Sequence, residues 1–212
     1  DVYFGALSPV IVTGSVNTSV IGLYTLTYSI NDASGNTATP KIRRVYVVDT
    51  IKPVITVNGA NPYYWDVNRR PFVGPGVTVT DNYNTGITAT ATSVNVDSLG
   101  TYTITYTARD ASNNQAVSKT RTVIVQDTVK PMLQFKQGTD TFLIDVKTLS
   151  SVPEPGYTLS DNYYASGNIT VSKVGTVNLN VLGTYPVTYT ATDGSGNARA
   201  FIRVFKVVDR EK

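Results

Sequence analysis

The chain has 212 residues, of which 16% are charged, and 18 Lys and Arg against 15 Asp and Glu give a net charge of +3. It has no Cys, no His, one Met and one Trp, which excludes disulfides, thiol nucleophiles, Cys- or His-ligated metals and imidazole acid/base chemistry. The charge is too small and too scattered for a nucleic-acid footprint, and no apolar run reaches the roughly 18 residues of a membrane span. Charged residues fall below the ~25% of ordinary soluble domains. Thr, Val and 14 Tyr dominate instead, and branched and aromatic side chains suit a pleated, half-buried surface.

From the N-terminus, Asp1-Val2-Tyr3 matches Asp81-Asn82-Tyr83, so the chain is expected to start at strand C of a repeat whose strands A to B are missing. Ile21–Tyr28 then reads as strand F, Asn31–Asn36 as a turn, and a basic β-branched strand runs on to Asp49. The same order returns as Leu99–Tyr106, Arg109–Asn114 and Asp127, and again as Leu182–Tyr189, Thr192–Asn197 and Asp209. The three closing aspartates are 78 and 82 residues apart, the size of a small sandwich and not of a helical solenoid.

In the second repeat the predicted strands are A at Val54–Val57, A′ near Trp65–Val67, B at Val77–Thr80 and C at Ile87–Ser93, followed by a D/E region near Val94–Val96, F at Thr101–Ala108 and G at Ala116–Gln126. Period-two alternation points Tyr102, Ile104, Tyr106 and Ala108 to one face and Thr101, Thr103, Thr105 and Thr107 to the other. Many short strands with regular turn signals predict an all-β chain of tandem immunoglobulin-like β-sandwiches. The expected domains are 1–49 (the C-terminal part of a sandwich), 50–127 and 128–212.

Tyr24, Tyr102 and Tyr185 sit just inside strand F, where a tyrosine corner bonds back to the preceding turn. The usual cysteine position holds Leu26, Ile104 and Val187, so apolar contact replaces the inter-sheet disulfide. Pro186 cannot donate to a ladder and predicts a bulge or an unpaired site. The basic residues of strand G (Lys41, Arg43, Arg44, Lys119, Arg121, Arg199 and Arg203) read as a solvated sheet face.

The pattern Asp-Thr-x-Lys-Pro, then Pro75–Asp81, then Leu-Gly-Thr-Tyr-Thr-Ile-Thr-Tyr-Thr-Ala-Arg-Asp and Asn-Asn resembles the bacterial Ig-like repeats of surface proteins. Such repeats also occur in pesticidal crystal proteins and are related to hyalin repeats. The resemblance covers nearly the whole chain. It implies non-catalytic modules in tandem: an elongated spacer, stalk or adhesive segment of an extracellular or cell-surface protein, partnered by flanking repeats of the same parent. Two alternatives stay open, a glycan- or protein-binding module and a fibre subunit that self-associates when a neighbouring chain completes the first repeat.

Acidic residues recur at the repeat junctions. Strand A enters a sandwich at the end that carries the B–C and F–G loops, so a linker aspartate should approach those loops. That groups Asp49 with Asp81 and Asp110, and Asp127 with Asp161 and Asp193, with Asn82, Asn114, Asn162 and Asn197 nearby. Hard oxygen ligands suit Ca2+. The competing reading is turn chemistry alone, because Asp and Asn side chains bond their local backbone. Tyr64 and Trp65, with Tyr63 and Phe72, are either a sugar platform or ordinary inter-strand packing. Tyr83, Tyr163 and Tyr164 lie in B–C loops and are expected to pack at the junctions.

Overall fold

A computed structural model describes residues 9–136 and 140–210 of the chain. Asp1–Tyr3, on which the starting register was read, lie outside the described residues. The described part is built of strands and turns with a single 3-10 turn at Ser166–Asn168, and no α-helix occurs among the described residues.

The first repeat contributes β1 (Ile11–Thr13), β2 (Gly22–Ser29) and β3 (Lys41–Val47), one antiparallel sheet in the order β1-β2-β3. The second contributes β4 (Val54–Val57), β5 (Tyr63–Asp66), β6 (Val77–Thr80), β7 (Thr90–Ala91), β8 (Gly100–Thr107) and β9 (Lys119–Gln126). Here β4 pairs with β6, and a second sheet has the order β5-β9-β8-β7. The third contributes β10 (Met132–Phe135), β11 (Thr141–Asp145), β12 (Tyr157–Ser160), β13 (Thr170–Val174), β14 (Gly183–Thr192) and β15 (Ala198–Val208). Its sheets are β10-β12 and β11-β15-β14-β13. The architecture is all-β, of Ig-like sandwiches in tandem. Strand C of the second repeat is shorter than its pattern predicts, and the D/E region forms no strand, although Val96 there is buried.

Two compact units divide the chain. Of the described residues, one holds those up to 59 with 75–92 and 105–120, and the other holds 60–74, 93–104 and those from 121 onward. The third repeat lies wholly in the second unit, and its core shows how the sequence makes the fold. Val187, Tyr189 and Ala191 alternate inward along β14, meet Leu133 and Phe135 of β10, and are closed off by Ile144, Ile169 and Phe205. Phe135 and Tyr157 each meet the Tyr189 ring edge-on, at 5.1 and 6.0 Å, a favoured aromatic geometry.

β11 and β15 pair in parallel, as do β5 and β9, so the A′ strand leaves the A–B sheet and joins strand G of the other. The β14–β15 register runs through Pro186, opposite Val204, without a bulge. Val204 donates outward to Asp140 O at 2.6 Å, so Pro186 opposite it also turns its nitrogen outward. It faces past the end of β13 at Val174, where no donor is needed.

The tyrosine hydroxyls at the start of β2, β8 and β14 each donate four residues back: Tyr24 to Val20 O, Tyr102 to Ser98 O and Tyr185 to Val181 O, all at 2.9 Å. A glycine recurs two positions before this tyrosine: Gly100 sits at φ +155°, a conformation that L side chains rarely adopt, and at Gly183 a Cβ would press on the Tyr185 ring at 3.3 Å.

Candidate functional site: two aspartate trios

Asp49 follows β3, Asp81 follows β6, and Asp110 sits in the turn after β8. Asp127 follows β9, Asp161 follows β12, and Asp193 follows β14. In each set one carboxylate oxygen per residue lies within 4.8 Å of the other two. The first trio lies within one compact unit and the second within the other.

Each aspartate arrives by a local turn. Asp49 Oδ1 accepts the Ile51 N–H at 3.0 Å, and Asp127 Oδ1 accepts the Val129 N–H at 3.1 Å. Asp81 Oδ1 accepts from Tyr83 and Asn84, as Asp161 Oδ1 does from Tyr163 and Tyr164. Asp110 Oδ1 accepts the Asn114 N–H, and Asp193 Oδ1 accepts those of Ser195 and Asn197. These are the side-chain-to-backbone bonds that favour Asp in turns.

The asparagines Asn114 and Asn197 link each turn to the linker. Asn114 Nδ2 donates to Asp110 Oδ2 at 2.8 Å and to the Asp49 carbonyl at 3.1 Å. Asn197 Nδ2 donates to Asp193 Oδ2 at 3.0 Å and to the Asp127 carbonyl at 3.1 Å. The second oxygens of Asp49, Asp81, Asp127 and Asp161 are buried without a hydrogen-bond partner. Asp110, Asp127 and Asp193 are themselves buried.

Three carboxylates this close repel. Two unit charges ~4.8 Å apart cost roughly 3 kcal/mol at an effective dielectric of about 20. Burial, and then the charges of Asp161 and Asp193, push the Asp127 carboxyl up against the lowering bonds from the Val129 N–H and, more weakly, the Asn162 side chain. Asp81 is held below the ordinary range by the N–H groups of Asn84 and Tyr83. The arrangement concentrates hard, anionic oxygen and offers no nucleophile-and-base pair.

The other sequence-derived residues fall as follows. Trp65 is buried, donates Nε1–H to Arg69 O at 2.9 Å, and meets Phe72 edge-on at 5.1 Å with Arg69 over its ring. Its faces are therefore taken by the protein, while Tyr64 beside it is exposed. Tyr83 accepts the Ile21 N–H at 3.4 Å. Tyr164 packs on Gly194 and reaches Ser195 Oγ at 3.1 Å, so it braces the F–G turn of its own repeat.

The strand-G basic face needs correction. Arg121 and Arg203 are buried, with Arg203 only 1% exposed. The Arg203 guanidinium lies 4.2 Å over Phe135 and donates to Lys136 O at 3.1 Å and to Glu154 at 3.3 Å. Glu154 also accepts from Lys173 at 2.6 Å and from the Tyr189 hydroxyl at 2.7 Å. Burial pushes the Glu154 carboxyl up, but the bonds from Lys173 and Tyr189 outweigh it and hold it below its ordinary value. Burial, reinforced by Glu154, raises the Tyr189 phenol far above its ordinary range. The missed signal was Glu154 itself, the acid in an otherwise apolar and proline-rich approach to β12.

With this geometry in view, comparison with known proteins identifies the chain. The family described as "Bacterial surface protein, Ig-like domain" matches residues 6–47, 55–125 and 146–207, and the chain belongs to it. An uncharacterized 81.3 kDa protein of Acholeplasma phage L2 is 32% identical over 84% of this chain and 25% of its own length. Hyalin of Lytechinus variegatus is 32% identical over 90% of this chain and 38% of its own. The chain thus spans a quarter to under two-fifths of these relatives. Among solved structures, PcdhgB3 EC1-4 is 15% identical, covers 97% of this chain and 66% of its own, and gives a TM-score of 0.36. No helix among the described residues is long and apolar enough to cross a membrane.

Proposed function

We propose that the chain is a non-catalytic spacer segment of a bacterial cell-surface or secreted protein, an elongated run of Ig-like repeats whose junctions are held by the F–G turns. One repeated observation supports this. Asn114 and Asn197, each fixed by the aspartate of its own turn, donate to the backbone of the preceding linker aspartate at 3.1 Å. A side chain that clamps the linker in the same way twice limits the bending of the joint, and Pro53 and Pro131 restrict the linker further.

Small-angle scattering of the intact chain tests this reading. A compact chain of this length has a radius of gyration of about 17 Å. The spacer reading expects a clearly larger value and a rod-like distance distribution, and a value near the compact one overturns it. Asn197→Ala is expected to broaden that distribution without unfolding the repeats.

A second reading rests on the β1-β2-β3 sheet. Tyr24, Leu26, Tyr28 and Val45 share the face that Val187 and Tyr189 turn to the core in the third repeat, yet are only half-buried, and Val12 beside Tyr28 is exposed; a strand pair like β10-β12 from a neighbouring molecule would cover that face. Sedimentation that stays monomeric at high concentration removes this second reading.

A further inference from the structure

We propose that Asp127, Asp161 and Asp193 bind one hard divalent cation of the Ca2+ class. Turn chemistry accounts for both oxygens of Asp193 and for one oxygen each of Asp127 and Asp161. It does not account for the others. Asp32 in the first repeat shows what a turn completes by itself: Oδ1 accepts from Ser34 and Asn36, and Oδ2 accepts from Asn36 Nδ2. Neither oxygen is left over.

At the second trio, the linker and the B–C loop each bring one more buried oxygen, Asp127 Oδ2 and Asp161 Oδ2, and neither has a hydrogen-bond partner. Asp127 is only 7% exposed, so water does not compensate its charge. Among the described residues, none of the ion pairs involves the trio. A buried carboxylate with an unpartnered oxygen that faces two more carboxylates calls for a cation.

The spacing allows a Ca2+ shell, and the donor chemistry selects the class of ion. Ca2+ binds oxygen at 2.3–2.6 Å, so two oxygens across one ion lie at most about 4.6–5.2 Å apart. The three oxygens here are all within 4.8 Å of one another and fit one such shell, with water completing it. Mg2+ needs a shell of about 4.0–4.2 Å across and near-ideal octahedral geometry, which loops of this kind do not impose. Carboxylate oxygen without thiolate or imidazole also favours Ca2+ over softer metals. The first trio repeats the turns, but Asp49 is only half-buried where Asp127 is buried, and the proposal is confined to the second.

The test is calorimetric titration of the intact chain with CaCl2, in parallel with Asp161→Asn and Asp81→Asn. Asn keeps the acceptor for the Tyr163 and Tyr164 N–H groups, so the turn survives while the charge is lost. The expected dissociation constant lies in the range of extracellular modules, about 10⁻⁴–10⁻³ M. The signal should vanish in Asp161→Asn and persist in Asp81→Asn. Terbium luminescence sensitised by Tyr163 and Tyr164, and quenched by added Ca2+, reports the same site on the unaltered chain whatever the variants do. No saturable signal from the unaltered chain, or binding unchanged in Asp161→Asn, overturns the proposal. A chain that scatters as a rod yet binds no Ca2+ leaves the spacer reading standing and removes only this one.

Discussion

β2 and β3 of the first repeat pair as β14 and β15 of the third do, yet the two pairs lie in different environments. Leu26 opposes Arg43 across β2 and β3, and Val187 opposes Arg203 across β14 and β15. Arg43 is exposed and Arg203 is buried; Tyr28 is half-buried, while Tyr189 is 1% exposed. What differs is the second layer. The β10-β12 pair packs on β14, and Glu154, just before β12, meets the guanidinium. Among the described residues the β1-β2-β3 sheet has no such strand pair of its own repeat. Period-two alternation therefore marks the face that can become core, and only an opposing layer makes it core. The arginine is tolerated inside because that layer brings an acid, a carbonyl and an aromatic face to it.

The sharpest way to break this comparison is to remove both arginines in turn. Arg203→Ala deletes a side chain that is 1% exposed and leaves its space over Phe135 empty, and is expected to cost about 2–5 kcal/mol. Arg43→Ala is expected to stay within about 0.5 kcal/mol, as an exposed position. Urea unfolding with amide exchange at β14 as the reporter measures the first, and exchange at β2 measures the second. Equal costs would mean that the second layer does not set the role of this position. Pairing Arg203→Met with Glu154→Leu should recover most of the loss, because a packed apolar pair is often no worse than a buried ion pair.

Next in size are the inward tyrosines. Tyr189→Ala empties the centre of the third core and should cost about 3–5 kcal/mol, as large aromatic truncations do. Tyr28→Ala removes a side chain that is already half in water and should cost less than half as much. Tyr189→Phe isolates the hydroxyl bond to Glu154 and should cost about 1 kcal/mol. Thermal and urea midpoints of the three variants give the ordering, and it fails if Tyr28→Ala matches Tyr189→Ala.

These contrasts show why one part of the molecule was legible in the sequence and another was not. Strand identity, the inward set on β14 and the spacing of the repeats are written locally, in alternation and turn residues. The convergence of Asp127 with Asp161 and Asp193 was also legible, because repeat order and sandwich topology together carry the linker toward the B–C and F–G loops. The burial of Arg121 and Arg203 was not. A basic residue in an alternating strand looks the same whether its face meets water or a second sheet, and the deciding partner, Glu154, lies 49 positions away from Arg203. The linking roles of Asn114 and Asn197 were only half legible: their place in the turn is local, but their bond to a carbonyl 65 and 70 positions back is tertiary.

A smaller effect should be common to all the repeats and so mark where the comparison stops. Tyr24→Phe, Tyr102→Phe and Tyr185→Phe each delete one hydroxyl bond of equal length to a carbonyl four residues back. Each should cost about 0.5–1.5 kcal/mol, with the first repeat no different from the third, because the corner is completed within its own strand and turn. Exchange rates in the turns before β2, β8 and β14 measure this. A markedly smaller effect at Tyr24 would show that the corner, too, depends on the second layer.

The smallest expected effect is on pH dependence, and it belongs to the third repeat alone. Glu154 is held below its ordinary value in the fold, because Lys173 and Tyr189 favour the carboxylate by more than burial opposes it. A depressed folded value means that the stabilisation is complete above the unfolded value, near 4.5, and is lost as pH falls through the folded one. The loss should be modest, since the Lys173–Glu154 pair is about four-tenths exposed at the lysine and solvent screens it. Acid titration followed by exchange at β14 should therefore show a step below about pH 4.5 that disappears in Glu154→Gln. The β2 reporter should show no matching step, because among the described residues no layer over Arg43 carries an equivalent acid. A step of the same size at β2 would point to Asp32, whose carboxyl is also held low by Asn36, and would remove the contrast drawn from Glu154.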